Sequence, residues 1–72
     1  MFSQKILGER LHDSRIKRGI TQQQIADLLE VALSRISELE HGKTSTTFAN
    51  LVKIADFLDV STDYLLGRTD KK

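Results

Sequence analysis

The chain has 72 residues, with 11 Lys and Arg against 10 Asp and Glu, and no Cys, Pro or Trp. That length supports one domain around one small core of modest stability, and the lack of Cys excludes disulfides and thiolate zinc sites. The net charge of +1 gives no bulk electrostatic sign of a nucleic-acid binder, and no apolar run approaches the ~18 residues of a membrane span. Strand signals are nearly absent, and the apolar residues fall at helical spacing, which predicts an all-α fold of five helices. The first runs from Ser3 to Arg18, with Ile6, Leu7 and Leu11 on its inner side, and stops at Gly19. The second runs from Gln22 to Leu29 and opens on a capping box, Thr21 with Gln24 three residues later. The third starts at Ala32 or Leu33, ends at His41, and is stopped by Gly42. Only two or three residues separate it from the second, so the two cross steeply. Thr47 caps a fourth helix, Phe48 to Leu58, in which Phe48, Leu51, Val52, Ala55 and Leu58 form a core stripe widened by Ile54 and Phe57. Ser61 caps a last short turn through Leu66, and residues 67–72 form a polar, flexible tail.

The stretch from Thr21 to Glu40 is the most informative. At about 100° per residue, Ile36 and Leu39 of the third helix point inward, with Ala32 near that side. Ser34, Ser37, Glu38 and His41 point the other way. This outer face is small and polar, and starts with two small residues. A helix that enters a nucleic-acid groove needs short hydrogen-bonding groups near its N-terminal end, and an ordinary solvated face is the competing reading. Glu40 falls near the inner side, where a carboxylate needs a partner. Arg15, late in the first helix, fits that structural role because its fork can hold a carboxylate bidentately.

Taken together, Arg15, Gly19-Ile20-Thr21-Gln22, Ile25-Ala26, Leu29, Val31, Ile36-Ser37 and Leu39-Glu40-His41-Gly42-Lys43 resemble the lambda-repressor-like (Cro/CI-type, xenobiotic-response-element) helix-turn-helix family. Leu51, Lys53-Ile54-Ala55, Leu58, Val60-Ser61 and Leu65-Leu66 continue the match, which spans about Ile6 to Leu66. The resemblance implies a compact five-helix DNA-binding domain over residues 1–66, with its helix-turn-helix motif at 21–40 and its third helix in the major groove. By position it places Ala32, Leu33, Ser34, Arg35 and Glu38 toward the bases. It places Gln22, Gln23, Ser37, His41, Lys43, Thr44 and Ser45 toward phosphates, and it makes Arg15 and Glu40 an ion pair. For Arg35, a surface ion pair with Glu38 stays open beside a DNA contact. The sequence departs from the family at three places. Glu30 stands where the tight turn usually has Gly, Ala32 where the third helix usually has a Ser or Thr cap, and Ser14 where the first helix usually has an apolar residue.

The function this implies is sequence-specific binding of double-stranded DNA at a near-palindromic operator, by a phage or mobile-element type of repressor. The over-wide apolar arc of the fourth helix suggests a homodimer through Phe57, Val60 and Tyr64. A protein-interaction module that keeps the fold without binding DNA is the alternative. An enzyme is rejected, since there is no Cys nucleophile, no Gly-rich phosphate loop and no metal-ligand spacing. Cofactor, metal, small-molecule ligand and membrane are not expected, and the expected compartment is the cytoplasm. His12 reads as a plain surface residue, and the four glycines mostly mark helix ends. The charge is also polarised. Residues 1–18 carry five basic and two acidic groups, residues 19–43 two and four, residues 44–66 one and three, and residues 67–72 three and one. With an acidic recognition unit, DNA affinity is expected to lean on Arg10, Lys17, Arg18 and Lys43 and on helix N-termini.

Overall fold

The computed structural model describes residues 2–72; Met1, where the expected domain begins, lies outside the described residues. Five helices follow one another: α1 Gln4–Lys17, α2 Gln22–Leu29, α3 Leu33–Glu40, α4 Phe48–Leu58 and α5 Thr62–Leu65, with no strand among the described residues. The ranges of α2 and α4 coincide with the spacing-based ones. α1 is one residue shorter at each end, because Ser3 and Arg18 serve as its caps, and α3 ends at Glu40 with His41 as its cap.

Helix starts follow from hydroxyl caps. Ser3, Thr21, Thr47 and Ser61 each accept the N–H three residues on, from Ile6, Gln24, Asn50 and Tyr64. At Thr21 the bond is reciprocal, since the Gln24 carbonyl oxygen takes the Thr21 N–H at 2.8 Å. α3 starts at Leu33, and its N-cap, Ala32, supplies no side-chain cap bond. The turns between helices need left-handed backbone, and two of them obtain it without glycine. Glu30 has φ 56° and Asp59 has φ 57°. Glu30 therefore carries strain of about 1 kcal/mol that a glycine there would avoid.

The core is a single cluster: Leu7 and Leu11 from α1, Ile25, Ala26 and Leu29 from α2, Ile36 and Leu39 from α3, Leu51, Ile54, Ala55 and Leu58 from α4, and Leu65 from α5. α1 packs on α3 and α5, α2 on α3 and α4, and α4 on α5. Four expected core residues lie outside it: Phe48, Ile6, Val52 and Phe57, of which Val52 is half-buried and Phe57 exposed on the flank of the α4 stripe. Phe48 is 78% exposed, because at the first position of α4 it projects beyond the end of the stripe, and Ile54 fills the core instead. Ile6 is exposed because α1 docks along Leu7, Gly8, Leu11, Ser14 and Arg15, leaving Ile6 on the flank against Gly67. Ala32, placed near the inner side by its wheel position, is exposed as well, since it precedes the first turn that packs. Ser14 is buried at an apolar position, and its hydroxyl has no hydrogen-bond partner among the described residues. No helix among the described residues is long and apolar enough to cross a membrane.

Candidate nucleic-acid interface

The C-terminal end of α3 is held by α1 at very short range. Gly8, in mid-helix rather than at a helix end, is the reason. A Cβ there would lie 2.5 Å from the Glu40 carbonyl oxygen and 2.6 Å from that of Leu39, so only a residue without a side chain admits the approach. Above this contact the Glu40 carboxylate is almost fully buried, with 3% of its side chain exposed. Arg15 donates Nε to Glu40 Oε2 at 2.6 Å and Nη2 to Oε1 at 3.1 Å, and its Nη1 reaches the Ile20 carbonyl at 2.9 Å. The guanidinium thus ties α1, the loop before α2, and α3 together. Burial alone would raise the Glu40 pKa, but hydrogen bonds from Arg15, His12 and Gln22, with the Arg15 charge, outweigh it and hold the carboxyl below its ordinary value.

Two further donors converge on the same oxygen. Gln22 Nε2 lies 3.2 Å from Glu40 Oε1, and His12 Nδ1 lies 2.9 Å from it. Facing a carboxylate that can only accept, His12 Nδ1 carries the proton. His12 is therefore not a plain surface residue. It precedes Arg15 by one helical turn, and that spacing is the signal that could have placed it. Glu9, His12, Asp13, Gln22, Glu40 and His41 line an open cleft of about 460 Å³ over this network. No group of three or more acidic or imidazole side chains among the described residues is placed to hold a metal ion.

The outer face of α3 is organised the opposite way. Ala32, Leu33, Ser34, Arg35 and Glu38 are all exposed, and Ser37 is half-buried beside them. None of the side chains of Leu33, Ser34, Arg35 or Glu38 takes part in a hydrogen bond or ion pair within the described residues, so Arg35 and Glu38 do not pair with each other. Ser34 and Glu38 are four residues apart and form one row. Leu33 and Ser37 form the next. Arg35 lies on the flank, where it shares a small cleft of about 40 Å³ with Thr44, Ser45, Thr46, Thr47 and Asn50. The loop after α3 and the first turn of α4 therefore run beside the exposed face.

The remaining polar residues of this region are oriented by local bonds. Gln23 Nε2 donates to Asp27 Oδ1 at 2.8 Å on the surface of α2. His41 Nδ1 donates to the Ser37 carbonyl at 2.7 Å, which leaves its other ring nitrogen free. Thr44 donates its hydroxyl to the Ser45 carbonyl at 3.4 Å, and Lys43 and Ser45 are exposed. Arg10, expected among the DNA-binding cations, is used elsewhere. Its Nη1 donates to the carbonyls of Tyr64, at 2.7 Å, and Thr69, while Nη2 meets Asp70 Oδ1 at 2.8 Å. These partners stand 54 to 60 positions along the chain, so no local spacing announces them. Arg18 lies 3.7 Å from Asp59. Lys17 is exposed beside Lys72, whose ammonium pushes the Lys17 pKa down.

Residues 67–72, expected as a flexible tail, carry contacts of their own in the same place. The Ser61 N–H donates to the Lys72 carbonyl at 3.1 Å. The Arg10 guanidinium stacks 4.4 Å from the centre of the Tyr64 ring, and Lys72 Nζ stands 5.8 Å from it. Of the three residues read as a dimer face, Phe57 is exposed, whereas Val60 and Tyr64 are half-buried.

Comparison with known proteins places this arrangement. A family profile described as helix-turn-helix matches residues 11–65. The transcriptional repressor RstR of the cryptic phage CTXphi in Vibrio cholerae is 43% identical over 60 residues, covering 83% of this chain and 54% of that protein. The transcriptional regulator ImmR of Bacillus subtilis is 36% identical over 64 residues, covering 89% and 50%. The crystal structure of the P22 c2 repressor in complex with a synthetic operator superposes with a TM-score of 0.76 at 33% identity, covering 83% of this chain and 91% of that one. The chain spans about half the length of the two curated relatives.

Proposed function

This chain belongs to the lambda-repressor-like helix-turn-helix family, and from that premise we propose that it is a sequence-specific DNA-binding transcription regulator, a repressor of phage or mobile-element type, not an enzyme. α3 lies in the major groove of double-stranded DNA. The observation that carries this reading is the contrast within α3: an inner side locked by Arg15, and an outer face whose Leu33, Ser34, Arg35 and Glu38 side chains are exposed and unpaired among the described residues. Ala32, Leu33, Ser34, Arg35 and Glu38 face the bases. Gln22 and Gln23 at the start of α2, Ser37, and His41, Lys43, Thr44 and Ser45 after α3 meet the phosphates, which fix register without reading sequence. The protein acts in the cytoplasm as a homodimer on a near-palindromic operator, with Phe57, Val60 and Tyr64 at the contact between copies. Two half-sites one helical turn apart then match the two copies of α3.

The electrostatic share of binding is small for this fold. The cations on the proposed face are Arg35 and Lys43, because Arg10 is committed to the tail. Fluorescence anisotropy with a duplex from the DNA next to its gene, titrated from 50 to about 200 mM salt, tests the reading. Affinity falls with salt at a log–log slope of about −2 per protomer, through counterion release. Absence of binding to any duplex at low salt contradicts it and favours an interaction module built on the same fold.

A further inference from the structure

Most of the groove-facing side of α3 can exchange hydrogen bonds with a base edge. Ser34 donates and accepts, Arg35 donates, and Glu38 accepts. Leu33 can do neither. It stands in the first turn of the helix, 45% exposed, with Ser37 beyond it in the same row and no part in the core cluster. If the outer face of α3 enters a major groove, this side chain is carried in with it and loses its water. A leucine set against an amino group or a carbonyl oxygen would strip that polar group of its hydration and give nothing in return. The major groove offers one apolar group on its floor, the C5-methyl of thymine.

Resting on the DNA-binding reading above, we propose that Leu33 is a specificity-determining residue that reads a thymine C5-methyl group in each half-site. It selects thymine by burying that methyl rather than by a hydrogen bond, while Ser34 and Glu38 in the neighbouring row read polar edges. Uracil keeps every hydrogen-bonding group of thymine and lacks only the methyl. The deoxyuridine-for-thymidine exchange therefore isolates the contact. Leu33 is outside the core, so Leu33→Ala leaves the fold intact, which a thermal melt verifies.

The experiment selects the tightest duplex from a randomised double-stranded library with the full 72-residue chain. It then resynthesises that duplex with uracil replacing thymine one position at a time. One thymine per half-site is expected to lose about fourfold in affinity on conversion to uracil, the worth of one buried methyl, and Leu33→Ala is expected to bind the two duplexes alike. Three outcomes overturn the assignment: uracil tolerated at every position, uracil sensitivity that persists in Leu33→Ala, or a selected half-site without thymine. Failure to recover any duplex overturns the DNA-binding reading itself, a result distinct from the other three.

Discussion

The two ends of α3 are built on opposite terms. At its C-terminal end Glu40 is almost fully buried, accepts from Arg15, His12 and Gln22, and rests on a backbone approach that Gly8 alone permits. At its N-terminal end and along its outer face, Leu33, Ser34, Arg35 and Glu38 are exposed, and their side chains make no hydrogen bond or ion pair among the described residues. One end holds the helix in place and the other is left free to meet a partner. A small domain with a modest core gains from this division, because groups that bind DNA can change without disturbing those that fix the helix. Stability and recognition are therefore expected to separate under substitution.

The largest expected effect is at the locked end. Glu40→Ala leaves the Arg15 guanidinium, itself only 10% exposed, unpaired in the interior, and a loss of about 3 kcal/mol is expected in chemical denaturation. The same pair has a pH signature. The Glu40 carboxyl is held below its ordinary value, so its contribution is complete above about pH 4.3 and disappears as pH falls through the lowered value. Thermal melts between pH 2 and 7 should show this acid limb in the natural protein and a weaker one in Glu40→Gln.

Next in size is Gly8→Ala. Its new methyl meets two backbone carbonyl oxygens that cannot turn away, and a loss of about 2 kcal/mol is expected even though alanine favours helix. A melting temperature equal to or above that of the natural chain would show that α1 can back away freely. Ser14→Ala should act in the other direction. It removes a buried hydroxyl that has no partner among the described residues, and a gain of about 1 kcal/mol is expected. The smallest effect on stability belongs to the free end. Ser34→Ala should change the melting point within the range of an ordinary surface substitution, about 0.5 kcal/mol, while altering which duplex is selected. Equal losses of stability at Ser34 and Glu40 would erase the distinction between the two ends.

Much of the fold was legible because its signals are local. Thr21 and Gln24 three residues apart mark the start of α2, Thr47 marks that of α4, and Gly19 and Gly42 adopt positive φ at helix ends. The misreadings share a cause. Phe48 fits the stripe of α4 by spacing, but at the first position of that helix it projects beyond the part that packs, which begins at Leu51. Arg10 reads as a free cation because its partners, Tyr64, Thr69 and Asp70, are brought to it only by the packing of α1 on α5. Gly8 reads as one scattered glycine until the carbonyls of Leu39 and Glu40 are seen against it. For the site, Arg15 and Glu40 could be related through the face each occupies. His12 was within reach of the same reasoning, one turn before Arg15, yet its half-exposed ring gave no apolar signal.

The central claim is that the exposed face of α3 is the surface that meets DNA. The most direct measurement is a titration of the isotopically labelled chain with its selected duplex, followed by amide chemical shifts residue by residue. The expected result is that the largest changes fall on residues 32–38, at Gln22, and along residues 41–45, with little change at Ile6 and at Gly67 packed against it. Changes concentrated at Ile6 and Gly67, with residues 32–38 unmoved, would contradict it.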